Sequence, residues 1–279
     1  MIESSDLAPL RLYRLDMSYN GAAYHGFQSQ PSGRTIQDHL ESALATFCRH
    51  PIRVTASSRT DTGVHAEHQV VTFKSAADHH LYRMVKALNA LLPADIRIGA
   101  ASCPEGDFHP ILHCSGKVYR YRIWRCAGES PFVTPLAWTM GADLDLHAMR
   151  AAGRHLIGQH DFTSFCAVDS SARSKIRRVR EISIRDAGPL LEIWVLGDGF
   201  LKQMVRNIVG TLIAVGKGTM TPDQIPQVLA AKDRRAAGMT APGGGLCLVR
   251  VFYGNDLTVD ALLEQAGNGY TVAMSGDWT

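Results

Sequence analysis

Arg11-Leu12-Tyr13-Arg14-Leu15-Asp16-Met17-Ser18-Tyr19-Asn20-Gly21 is the stretch from which the fold is read. Tyr13, Leu15, Met17 and Tyr19 alternate with Arg14, Asp16 and Ser18, the period of a strand with one buried face, and Asn20-Gly21 ends it. Behind Thr35, a suitable N-cap, Ile36, Leu40, Ala43, Leu44 and Phe47 recur at helical spacing, so residues 35–48 are expected to form an amphipathic helix. Residues 52–56 and 69–73 read as strands on either side of a polar segment, 81–92 as a helix closed by Pro93, and 96–100 as a further strand. The first third of the chain thus reads β-α-β-β-α-β.

The same order returns downstream. Residues 118–124 read as a strand, 146–156 as a helix, 179–184 and 191–196 as strands, 201–215 as a helix and 246–252 as a strand. An extra helix precedes that last strand, announced by Thr221 as N-cap, Pro222 at the first helical position and Gln224 placed for a capping box. The expected class is α+β: two related halves of ferredoxin-like β-α-β-β-α-β layout, with mixed or antiparallel sheets flanked by helices around a central basic cleft. An N-terminal domain is expected over 9–112 and a C-terminal one over 113–254, joined near 107–116. Residues 255–279 form a tail with a weak helical pattern at 257–266 and no assigned function.

The 279 residues are 46% hydrophobic, enough for a sizeable core. Lys and Arg outnumber Asp and Glu by 29 to 26, an excess too small to single out a nucleic-acid binder, so the placement of charge has to decide. Cys48, Cys103, Cys114, Cys126, Cys166 and Cys247 form neither a C-x-x-C pair nor a disulfide framework, which points to reduced thiols. The first ten residues lack signal-peptide regions, and the longest apolar stretch, near 208–215, is too short to span a bilayer. A cytoplasmic, membrane-free protein is expected.

Between the strands at 52–56 and 69–73 lies Ala56-Ser57-Ser58-Arg59-Thr60-Asp61-Thr62-Gly63-Val64-His65-Ala66. Taken alone, Asp61 suits a turn residue bonding its own backbone ahead of Gly63; the other reading is a carboxylate held on a stiff loop beside a cleft. Arg206, in the apolar run 200–212, reads alone as a surface arginine on a polar stripe with Lys202 and Asn207. Lys117-Val118-Tyr119-Arg120-Tyr121-Arg122 interleaves basic and aromatic residues on a strand, with Tyr119 and Tyr121 on one face and Arg120 and Arg122 on the other. That pattern fits stacked bases and neutralised phosphates as well as it fits tyrosines packed in a core. The run Arg173, Lys175, Arg177, Arg178 and Arg180 is a solvated loop unless a polyanion is the partner.

Other chemistries find no support. His65 with His68, and His109 with His113 and Cys114, lack metal-ligand spacing, and the glycines at 210–218 do not fit a phosphate loop. Neither a Ser-His-Asp signature nor a G-x-S-x-G elbow is present.

In combination, these segments resemble the tRNA pseudouridine synthase A (TruA) family, whose central motif reads G-R-T-D-A-G-V-H-A and stands here as Ser58 to Ala66. Further matches are Tyr24 to Gln30, Thr35-Ile36-Gln37, Phe108-His109, Lys117 to Tyr121, His160 to Phe165, Met204-Val205-Arg206-Asn207 and Gly245-Leu246, so the resemblance covers about residues 11 to 253. Two departures stand out: Ser58 replaces a Gly, and Pro110-Ile111 replaces an Ala-Arg pair. The resemblance implies an isomerase that converts uridine to pseudouridine at positions 38, 39 and 40 of the tRNA anticodon stem-loop, without cofactor or metal. It further implies a homodimer gripping the elbow-shaped RNA, with Asp61 as essential carboxylate, Tyr119 packed on the target base and Arg206 as partner of the aspartate. Arg59, Lys175, Arg177 and Arg178 are the remaining candidates for RNA contact. The competing readings are a non-catalytic RNA-binding module, disfavoured by the lack of an RNP1-like motif, and a related synthase acting at other uridines.

Overall fold

Strand β1 (Arg11–Tyr19) buries its odd-numbered side chains from Tyr13 onward and leaves the even ones half-exposed, as the alternation requires. The computed structural model describes residues 10–254 apart from 32, 127 and 142, together with Val259, so all but Val259 of the helical pattern at 257–266 lies outside the described residues. Helix α1 (Ile36–Cys48) starts where Thr35 accepts the Asp38 amide, and short β2 (Thr55–Ala56) leads to β3 (His65–Ser75). Helix α2 (Leu81–Leu91) and β4 (Ile96–Ser102) complete the first half.

The second half runs β5 (Gly116–Trp124), β6 (Trp138–Thr139), α3 (Leu146–Arg154), β7 (Gly158–Asp161), β8 (Ile176–Ala187), β9 (Leu190–Gly197), α4 (Met204–Gly216), α5 (Ile225–Ala231) and β10 (Leu246–Phe252). The capping box of Thr221 and Gln224 forms, over a short 3-10 turn that feeds α5.

The strands lie in the order β4-β1-β3-β10-β5-β9-β8-β7, with β2 against β3 and β6 against β5. Within each half the order is fourth, first, third, second, namely β4-β1-β3-β2 and β10-β5-β9-β8. This is the β-α-β-β-α-β repeat. The sequence suggested sheets belonging to each half, whereas the parallel register Cys247 with His65 and Leu248 with Ala66 fuses them into one ten-stranded, mostly antiparallel sheet. β2 pairs only with Thr72 and Val71, far from the start of β3, so β10 finds the other end of that strand unpaired and takes it. One apolar core, from Tyr13 in β1 to Ile208 in α4, runs through both halves.

Three local expectations change. Strand β3 begins at His65 rather than at residue 69, because β10 supplies a ladder partner there. Part of the basic run read as a loop, from Ile176 on, lies in β8 and pairs with β7. Helix α4 starts at Met204 rather than at residue 201, since Gln203 takes a left-handed conformation (φ 60°) that no right-handed helix accommodates. Among the described residues no helix is long and apolar enough to cross a membrane.

Candidate active site

The loop between β2 and β3 is held from beneath by side chains as well as by backbone. The last ladder bond runs from the Ser57 amide to the Val70 carbonyl, 2.8 Å. Beyond it, the fully buried Gln69 takes over, its carbonyl accepting the Ser58 amide (3.1 Å) and its amide nitrogen donating to the Ser58 carbonyl (2.7 Å). Tyr19 in β1 hydrogen-bonds the Thr60 hydroxyl at 2.8 Å, and the Phe27 amide donates to the Thr60 carbonyl at 3.0 Å. Gly26 makes that approach possible: its φ is +86°, and a Cβ there would stand 2.7 Å from the Thr60 oxygen.

Asp61 caps a tight turn, accepting the Val64 amide through its main-chain oxygen at 3.1 Å. Its side chain is thereby left for other work. Asp61 Oδ2 accepts Arg206 Nη1 at 2.9 Å across 145 residues of sequence, with the carboxylate 24% and the guanidinium 15% exposed. Arg206 is aimed by its own second bond, Nε to the Ala241 carbonyl at 2.7 Å, while the Ala241 amide returns to the Arg206 carbonyl. The surface-stripe reading of Arg206 therefore fails, and its supposed stripe partner Asn207 is fully buried, bonding the Phe165 carbonyl and receiving Arg234 and Thr240.

Tyr119, on β5 between β10 and β9, is buried with its ring edge-on to Phe200 and its hydroxyl 3.1 Å from Ser58 Oγ. Burial, with a smaller contribution from the Asp61 charge, pushes its phenol up to about 12. Asp61, Arg206, Tyr119, Arg59, Arg177 and Lys117 line one cleft of about 860 Å³. Among the described residues no group of three His, Cys, Asp or Glu could hold a metal ion. All six cysteines are free thiols.

Comparison with known proteins decides what this constellation belongs to. The model of the family described as tRNA pseudouridine synthase matches residues 17–111 and 152–254. The chain is 42% identical over 244 residues to tRNA pseudouridine synthase A of Geotalea uraniireducens, covering 88% of this chain and all of that protein (100%). It is 43% identical over 242 residues to the protein of that name from Geobacter sulfurreducens (87% and 99% covered), and 42% over 241 residues to that from Bacillus subtilis (86% and 98%). The chain belongs to the tRNA pseudouridine synthase family.

The basic residues of this pseudouridine synthase fall into distinct groups. Arg206 is neutralised by Asp61, and Lys202 by Asp169 at 2.6 Å. Arg59 is exposed at the cleft, with neither hydrogen-bond nor ion-pair partner among the described residues. Arg177 lines the cleft and bonds only main-chain carbonyls. Lys175 is turned to the Ser170 carbonyl, and Arg178 lies on the other side of β8 from Arg177; neither lines the cleft. Arg120 and Arg122 face away from it and pair with Glu67 and Glu192. Lys117 was not singled out from the sequence as an individual contact, yet it sits in the cleft on the same side of β5 as Tyr119; that period-two relation was its available signal.

Proposed function

We propose that the protein isomerises uridine to pseudouridine in transfer RNA, with Asp61 as the catalytic carboxylate and no cofactor. The observation that carries this reading is the Asp61–Arg206 pair set beside Tyr119 in a cleft where Arg59, Lys117 and Arg177 carry no ion pair among the described residues and are open to RNA. Arg206 offsets the carboxylate's charge beside the RNA phosphates through a charge-assisted hydrogen bond of 2.9 Å.

The reaction breaks the N1–C1′ bond, turns the held base, joins C5 to C1′, moves the C5 proton off and places one on N1. Electrons are conserved. A carboxylate serves it either by adding to C6 of the base or by meeting C1′ as the glycosidic bond opens. The target must first leave its stack, at about a few kcal/mol, offset by stacking on Tyr119 and by phosphate contacts. Arg59, at the mouth of the cleft, is suited to occupy the space the base leaves. Because the Tyr119 phenol is held near 12, it is protonated at neutral pH and can take the C5 proton only while passing its own on; Ser58 Oγ, 3.1 Å away and lining the cleft, relays it by accepting that proton as it releases its own to solvent.

The substrate positions are uridines 38, 39 and 40 of the anticodon stem-loop, and the working form is a cytoplasmic homodimer holding the RNA by its shape. The relatives' shared name and near-complete coverage support the transfer-RNA substrate. The deciding experiment assays pseudouridine in unmodified transfer RNA. Asp61→Asn should abolish product and bind RNA within about twofold of wild type; product formation by that variant would reject the assignment. Carbodiimide mapping of the product then reads the modified positions, and modification elsewhere would replace 38 to 40.

A further inference from the structure

Lys117 is a half-buried cation without a counter-ion. Its Nζ donates one hydrogen bond, 2.6 Å to the Ser57 carbonyl, and among the described residues no carboxylate lies within ion-pair distance of it. An ammonium has three donors and is costly to desolvate unpaired. Arg177, which lines the same cleft, is likewise without a carboxylate and bonds only the Ser174 and Ile176 carbonyls. Two cations that line one cleft, neither of them ion-paired among the described residues, leave positive charge there for an anionic ligand to neutralise. On the opposite face of the same strand, Arg120 and Arg122 are each paired with a carboxylate.

The position of the pair specifies which anion. Lys117 Nζ meets the main chain of Ser57, and the Tyr119 hydroxyl meets Ser58, so ammonium and phenol stand over consecutive residues of the loop that carries Asp61. A nucleotide whose base lies against Tyr119 has its own flanking phosphate one residue's breadth away. We propose that Lys117 and Arg177 form a phosphate subsite for the RNA linkage next to the flipped uridine. The site fixes the nucleotide from its backbone side while Tyr119 holds the base, which suits recognition by shape. It rests on the cleft being the RNA site proposed above.

The test uses full-length protein and a synthetic anticodon stem-loop in which each linkage flanking the target uridine is made a neutral methylphosphonate in turn. Wild type should lose about tenfold in affinity for one of these RNAs, in line with a single lost phosphate contact. Lys117→Gln should show that loss already on the unmodified RNA, with the slope of log affinity against log salt reduced by about one, and no further loss with the neutral linkage. Lys117→Arg should restore the salt slope, and Arg177→Gln should act in the same way as Lys117→Gln. Thermal melting separates misfolding from a lost contact, and Arg177→Gln, at a less buried position, keeps the test open if Lys117→Gln does not fold. Full sensitivity of either Gln variant to the neutral linkage, or wild-type affinity for native RNA, overturns the subsite. Pseudouridine formation by wild type on native RNA reports on the catalytic reading separately.

Discussion

The two faces of β5 carry the same kinds of residue to opposite ends. On one, Lys117, Tyr119 and Tyr121 point toward the cleft and the core; on the other, Arg120 packs over Trp194 and binds Glu67, and Arg122 binds Glu192 at 2.9 Å. Basic and aromatic types alternate on a strand in both cases. What separates a binding face from a structural one is whether nearby strands bring carboxylates: adjacent β9 and, across β10, β3 bring Glu192 and Glu67 to the back, and none among the described residues pairs with Lys117. A cation already neutralised has no charge left to offer RNA.

The largest effect expected on the cleft side is at Arg206. Arg206→Lys keeps the charge but cannot hold both Asp61 and the Ala241 carbonyl, so kcat should fall about 100-fold or more, equivalent to about 3 kcal/mol of transition-state stabilisation. Single-turnover rates at saturating RNA would show it, and a rate within threefold of wild type would mean that the pair is incidental. Next comes the proton step: Tyr119→Phe keeps the stacking ring and should slow product formation about 10- to 100-fold, with Ser58→Ala giving a smaller loss in the same direction. Unchanged rates in both would remove the relay.

Gln69→Leu should lower kcat about tenfold with the RNA KM nearly unchanged, because the loss falls on the aim of the loop rather than on contact with RNA. The back face supplies the contrast. Arg122→Gln should leave RNA affinity and its salt slope as in wild type and cost about 1.5–3 kcal/mol of stability in chemical denaturation, the usual range for a hydrogen bond to a charged, largely buried group. Weakened, salt-sensitive binding in that variant would break the distinction between the faces.

The smallest effect is a pH dependence at the seam of the two halves. His65 accepts the Gly21 amide on Nδ1 and sets Nε2 against the Gly244 carbonyl, which fixes the neutral tautomer with its proton on Nε2, and burial lowers its pKa. Between the folded value and the unfolded value near 6.5 the unfolded chain binds more protons, so this contribution is complete above about 6.5 and is lost as pH falls through the folded value. Melting temperatures of wild type and His65→Gln measured from pH 7.5 to 5 should converge as the pH drops; parallel curves would exclude His65 as the cause.

Much of the fold is legible in side-chain order. The alternation of β1, the Thr35 cap and the Thr221–Gln224 box are local signals, satisfied within a few residues of themselves. The unexpected start of β3 at His65 and the single sheet are not, because a strand's extent depends on what lies beside it. At the site, Asp61 was visible as a carboxylate among small and hydroxyl residues, but its own loop equally described a turn, and the structure makes the turn with the main chain while giving the side chain to Arg206. Gln69 and Lys117 drew no individual notice, since a glutamine inside a strand and a lysine at its start look ordinary until their partners are placed.

By itself the sequence determined the periodic burial, the caps, the repeated β-α-β-β-α-β order and the chemical types available to the cleft. Periodicity and capping are properties of neighbouring residues, so no further information was needed. Only the tertiary structure decided that Asp61 meets Arg206 across 145 residues, that Gln69 continues the ladder under Ser58, and which cations stay unpaired. Charge is neutralised through space within a few ångströms, and the strand order, not the chain order, sets which groups come that close.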